Sequence, residues 1–68
     1  MPAVRKRSVV VAGHKTSVSL EQPFWDELAR LARARGVSLN ALIAAIDQGR
    51  DGNLSSALRV FVLEAVKR

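Results

Sequence analysis

"GHKTSVSLEQPF", residues 13–24, decides how this chain folds, because its chemistry changes halfway along. From Lys15 to Leu20 polar and apolar residues alternate, the two-residue period of a half-buried strand. One face carries Thr16, Val18 and Leu20, and the other carries Lys15, Ser17 and Ser19. After Glu21 the pattern switches. Pro23 marks a helix start, since a first-turn proline gives up an N–H that would have no helical partner there. So short a strand needs a neighbour, and nothing after it in the chain reads as a second one.

Working upstream, Ser8, Val9, Val10, Val11 and Ala12 form a β-branched run that favours strand, and Gly13 and His14 interrupt it. If the chain turns back at Gly13-His14, this run pairs with Lys15–Leu20. If it runs on, the run lengthens the strand or pairs with another molecule. Before it, Arg5, Lys6 and Arg7 stand together with little to bury, so residues 1–7 are expected to be a flexible basic arm ahead of a domain spanning 8–68.

Downstream, Phe24, Leu28, Leu31 and Ala32 follow the i, i+4, i+7, i+8 spacing of one helix stripe, flanked by Trp25 as a core or interface anchor. Asp26 and Glu27 are expected in the first turn and Arg33 and Arg35 in the last, where each sign complements the helix dipole. Gly36 suits the closing position of that helix. Ser38 then caps a second helix with Leu39, Leu42, Ile43 and Ile46 on one face. "DQGRDGN", residues 47–53, is dense in turn formers. The segment after it, "LSSALRVFVLEAVKR", is apolar around most of its circumference, from Leu54, Ala57 and Leu58 through Val60, Phe61, Val62 and Leu63 to Val66. "GVSLNALI" and "GNLSSALR" echo each other, each placing a glycine shortly before a serine-capped apolar helix.

Sixty-eight residues give one small domain, and such a domain rarely holds together comfortably without a staple or a partner. Cysteine is absent, so there is no disulfide and no thiolate metal site, and the single His14 cannot assemble a metal site alone. A hydrophobic fraction of 49% with no staple, together with a helix apolar on nearly all sides, implies an obligate oligomer. No stretch approaches the length of a membrane span, and the apolar run Val9–Ala12 is too short for a secretory signal, so a cytoplasmic location is expected. Eleven basic residues against six acidic give a net charge of +5, which favours a polyanionic partner.

Catalytic chemistry is missing. There is one histidine, no cysteine or tyrosine, and no glycine-rich phosphate loop. Asp26 and Glu27 are adjacent in a helix and do not face each other. Asp47 and Asp51 flank a turn without the spacing of a calcium loop. The expectation is a non-enzyme with no metal and no cofactor.

The order of strand, helix, glycine and Ser-capped helix in "KTSVSLEQPFWDELARLARARGVSLNALI", residues 15–43, resembles the ribbon-helix-helix family of bacterial DNA-binding proteins, the architecture of the Arc and MetJ repressors. "KRSVVVAGHKTSVSLE" and "NLSSALRVFVLE" are similar to a small single-domain branch of that family. The resemblance implies a mainly α fold with a short β-ribbon, an intertwined homodimer in which two copies pair their single strands, here with an additional C-terminal helix. Thr16, Val18, Leu20, Leu28, Leu42, Ile46, Leu58, Phe61 and Val62 would fill the dimer core. The implied function is sequence-specific binding of double-stranded DNA as a transcriptional regulator or repressor.

Lys15, Ser17 and Ser19 would read base edges in the major groove, with lysine donating to guanine and the hydroxyls donating or accepting. Small hydroxyls discriminate weakly, which shifts specificity toward DNA shape or toward several dimers binding side by side. Arg5, Lys6 and Arg7 would contact phosphates, and so would Ser38, Leu39 and Asn40 at the start of the second helix. If the last helix is instead the family's second, residues 38–47 are an insertion and the phosphate site moves to Leu54, Ser55 and Ser56. A fold-back at Gly13-His14 would make the dimer's ribbon four-stranded, wider than a major groove of about 12 Å admits, and would count against base reading. The alternative function is a protein-interaction module, antitoxin-like or an assembly adaptor, that uses the same dimer and seats a partner on the C-terminal helix.

Overall fold

The computed structural model describes residues 3–49 and 52–67. Within it the chain forms strand β1 (Val4–Val11), strand β2 (His14–Glu21) and helices α1 (Gln22–Ala34), α2 (Leu39–Gln48) and α3 (Leu54–Val66). β1 and β2 pair antiparallel, from Val4 opposite Glu21 to Val11 opposite His14. The alternating strand therefore finds a neighbour inside its own chain, which settles the choice between turning back and running on. The turn is one residue earlier than Gly13-His14. Ala12 and Gly13 have φ of 53° and 77°, the pair of left-handed conformations that a two-residue hairpin requires to match the strands' twist. Glycine adopts this without cost, whereas the Cβ of Ala12 makes it strained.

β1 also corrects the expected arm. Val4, Arg5, Lys6 and Arg7 are strand residues, opposite Glu21, Leu20, Ser19 and Val18; residues 1 and 2 lie outside the described part. A run of charge conceals this strand because backbone pairing and an aromatic ring hold it, not apolar side chains. The Arg7 guanidinium lies 5.2 Å from the centre of the Trp25 ring, and Trp25 Nε1 donates to the Arg5 carbonyl at 3.0 Å.

Pro23 sits in the first turn of α1, as its missing N–H dictates. The buried stripe of this helix is Trp25, Leu28 and Ala32, with Phe24 and Leu31 half-buried beside it. Its centre is thus rotated toward Trp25, which is 2% exposed. Because α1 begins at Gln22, Asp26 and Glu27 fall beyond the first turn. There Asp26 accepts from the Gln22 side chain at 2.8 Å, and Glu27 pairs with Arg30 at 2.7 Å. Gly36, at φ 71°, closes the helix: its N–H bonds the Arg33 carbonyl and that of Val37 bonds the Ala32 carbonyl.

Ser38 caps α2, accepting from the Ala41 N–H at 3.0 Å. The cap of α3 is Asn53, which accepts from the Ser56 N–H at 2.8 Å, so Ser55 and Ser56 lie inside the first turn and do not cap it. The three helices pack on one face of the hairpin around Val9, Val18, Leu20, Trp25, Leu28, Leu42, Ile43, Leu54, Leu58 and Val62. Of the residues expected in a dimer core, Val18, Leu20, Leu28, Leu42, Leu58 and Val62 are buried within one chain, while Thr16, Ile46 and Phe61 are half-buried. β1 covers part of this core through Val9, with Val11 half-buried beside it. It does not cover all of α3, where Val60, Leu63 and Val66 remain more than half exposed. Among the described residues no helix is long and apolar enough to cross a membrane.

Candidate nucleic-acid interface

Alternation along the hairpin sorts its side chains onto two faces. The inner face, against the helices, takes Thr16, Val18 and Leu20 from β2, as expected, and Val9 with Arg5 and Arg7 from β1. The outer face takes Lys15, Ser17 and Ser19 from β2, with Val10, Ser8 and Lys6 directly opposite them. Lys6, Ser8, Lys15 and Ser17 are exposed and Ser19 is half-buried. Sequence reading placed Lys15, Ser17 and Ser19 on one surface but missed that Lys6 and Ser8 join them. The signal was the same two-residue period, carried across the turn.

The three basic residues expected to act together are split by that period. Lys6 points outward, while Arg5 and Arg7 lie on the helix side, Arg7 over Trp25. From Val4 to Leu20 the hairpin holds four of the eleven Lys and Arg residues and none of the six Asp and Glu, so most of the net +5 sits on the sheet. Glu21, at the end of β2, is the first acid along the chain. A hydrogen bond from its own backbone holds its carboxyl below the ordinary range, helped by Arg59 on α3, which donates at 3.0 Å. The charge of Glu21 is thereby offset by Arg59. Two further arginines stack on rings, Arg35 on Phe61 and Arg59 on Phe24.

The starts of α2 and α3 also lie at the sheet, one on each side. At α2 the Asn40 side chain spans to β1: Oδ1 accepts from the Val10 N–H at 2.9 Å, and Nδ2 donates to the Val10 carbonyl at 2.8 Å. Its amide is engaged with protein, so the side chain of Asn40 does not stand free for a phosphate. Ser38 is occupied in capping, and the backbone N–H groups of Leu39 and Asn40 are the donors left at this helix start. At α3, Asn53, Leu54, Ser55 and Ser56 line a polar groove of about 500 Å³ with Thr16, Ser17, Val18, Ser19 and Arg59. This groove runs along the outer edge of β2. Among the described residues no cluster of three or more metal-ligating side chains occurs.

The comparisons agree with this architecture. No curated protein matches the chain. A solved structure of an uncharacterized protein from Bordetella pertussis Tohama I is similar to it, with a TM-score of 0.78 and 37% sequence identity over 90% of this chain. The chain spans 54%, about half, of that protein's length. The family model described as the ribbon-helix-helix domain matches residues 4–66, a span that starts with β1 and ends with α3. The hairpin and all three helices thus fall within one family pattern, and the chain belongs to the ribbon-helix-helix domain family.

Proposed function

We propose that this protein is a homodimeric DNA-binding regulator that lays the outer face of its sheet on duplex DNA. The observation that carries this reading is the face itself: Lys6, Lys15, Ser8, Ser17 and Ser19 together, with no carboxylate before Glu21, which Arg59 holds. Ribbon-helix-helix proteins generally bind DNA as dimers. Here the second copy adds along β2. Lys15, Ser17 and Ser19 direct their backbone N–H and C=O groups away from β1, and among the described residues no hydrogen bond reaches those groups. The groove beside that edge admits another strand, and the apolar outer face of α3 adds area that a strand edge alone lacks.

Pairing two β2 strands places four strands side by side, the outermost about 14 Å apart at about 4.8 Å per strand. That exceeds the width of a major groove, about 12 Å. The two central strands then carry Lys15, Ser17 and Ser19 over the groove, and the β1 strands carry Lys6 over the phosphates at its rims. The sheet rests shallowly. Phosphate contacts dominate affinity, base contacts by the serines are few, and DNA shape carries much of the preference. The N–H groups of Leu39 and Asn40 at the start of α2 flank the sheet and add a phosphate site at each side.

Affinity for duplex DNA at several salt concentrations tests this. Each lysine acts twice per dimer, so K6A and K15A should each lower the slope of log affinity against log salt by about 2. K15A should also narrow the gap between a selected sequence and random DNA, because it sits over the groove. Unchanged slopes in both variants would reject the sheet face as the DNA contact.

A second reading, a protein-interaction module, is favoured by one observation. Val60, Leu63 and Val66 line an apolar groove with Phe24 and Val62 on the outer face of α3. Selection from a random DNA pool separates the two: enrichment of a motif supports the regulator, and retention of no DNA supports the module.

A further inference from the structure

The two edges of the hairpin are not equivalent. Asn40 bonds both the N–H and the C=O of Val10, so those groups point away from β2. Alternation then directs the backbone of Val4, Lys6 and Ser8 outward on the same edge, and that of Lys15, Ser17 and Ser19 outward on the opposite one. The bond from the Gln22 N–H to the Ala3 carbonyl fixes the same phase at the far end of the ladder. Unpaired edges of this kind are templates for strand addition, and a small sheet with two of them can grow without limit.

We propose that Asn40 is an edge seal: it closes β1 to strand addition, so a second copy of this chain pairs only along β2 and assembly stops at two. An asparagine amide presents one donor and one acceptor at the spacing of a peptide group, so it occupies Val10 as a neighbouring strand would. The α2 helix that carries Asn40 stands beside the hairpin end of β1. An incoming strand would have to displace both. Lys6 supplies a second deterrent midway along the edge, since paired copies would bring like charges together. On β2 the corresponding positions are Lys15, Ser17 and Ser19, with no side chain bonded to their backbone among the described residues. The inference rests on the proposed dimer but concerns the other edge, so the two fail separately.

The chain has no cysteine, which makes single-cysteine cross-linking clean. S17C reports pairing along β2 and S8C reports pairing along β1, each treated with a short bismaleimide in the otherwise native chain and in the N40A background. In the native background S17C should cross-link and S8C should not. In N40A the S8C yield should rise about tenfold, and light scattering should show species larger than a dimer. N40D, which keeps the acceptor for the Val10 N–H but loses the donor to its carbonyl, should fall between. Circular dichroism of each variant checks that the fold is kept. Efficient S8C cross-linking with Asn40 intact, or no gain in either folded Asn40 variant, overturns the seal. Absence of S17C cross-linking, with native protein that stays monomeric, overturns the dimer instead, and a gain of S8C linkage in N40A then still supports the seal.

Discussion

The β1 and β2 strands are equally long and belong to one hairpin, yet they are held differently. β2 continues directly into α1 and is anchored by covalent connection and by the apolar residues Val18 and Leu20. β1 has Val9 as its one buried side chain and is fastened at separate points: Trp25 to the Arg5 carbonyl, Arg7 over the Trp25 ring, and Asn40 to Val10. The difference teaches how a sequence can specify a strand without apolar alternation. Polar side chains on neighbouring helices reach its backbone. It also gives the two edges different roles, with the fastened strand closed and the anchored strand open.

The largest effect should come from proline at matched positions. Ser17 and Ser8 lie opposite each other, and both direct their N–H outward, so neither substitution removes a bond within the chain. S17P should weaken dimerisation by about a hundredfold, roughly 3 kcal/mol, and S8P by less than about threefold. Sedimentation equilibrium measures both, and equal losses would erase the distinction between the edges.

Next in size is W25F, which removes the hydrogen bond to Arg5 and part of the surface under Arg7. A loss of about 1–2 kcal/mol in urea unfolding is expected, with amide exchange accelerated in β1 more than in β2. Uniform acceleration would mean that β1 is not separately fastened. A smaller gain is expected where the strands meet. A12N relieves the positive φ of Ala12 with a residue that tolerates it, and should raise stability by about 0.5–1 kcal/mol. No change in the unfolding midpoint would argue against that turn.

The smallest effect concerns acid. Glu21 and Glu27 both have carboxyls lowered from an ordinary value of 4.5, Glu21 by its own backbone hydrogen bond and by Arg59, Glu27 by Arg30. A lowered folded value means that the stabilisation is present above 4.5 and is lost as pH falls through the folded value. Both pairs are exposed, so the change is slight. E21Q should flatten the acid limb of the stability curve and loosen α3 from the end of β2. E27Q should flatten the limb without touching the sheet. Thermal melts between pH 2 and about 6 compare them.

Much of this was legible from the chain alone, and the reasons are local. The period of Lys15–Leu20 assigned its two faces, Pro23 placed the start of α1, Gly36 and Ser38 marked the junction of α1 and α2, and the turn formers after Asp47 separated α2 from α3. Such signals depend on a residue's own backbone preference or on neighbours within one turn, so they need no knowledge of the rest of the molecule. Where local signals competed, they were less reliable. Asn53 took the cap expected of a serine, and Trp25 drew the buried stripe of α1 toward itself because burying a ring that size removes much apolar surface from water.

Tertiary structure alone decided the rest. Arg5, Lys6 and Arg7 read as a solvated arm because charge is unfavourable in a core. Only pairing with β2, and a ring placed by α1 against Arg5 and Arg7, make a strand of them. The place of Asn40 in a helix start was legible, but the task of its side chain was not, because only the packing of α2 on β1 brings that amide within reach of Val10. The opening stretch, residues 13–24, dictated a strand and the start of a helix, because periodicity and proline geometry act over a few bonds. Which strand lies beside it, and which of its edges stays open, depends on contacts between residues distant in the chain, and those exist only once the helices have closed over one face.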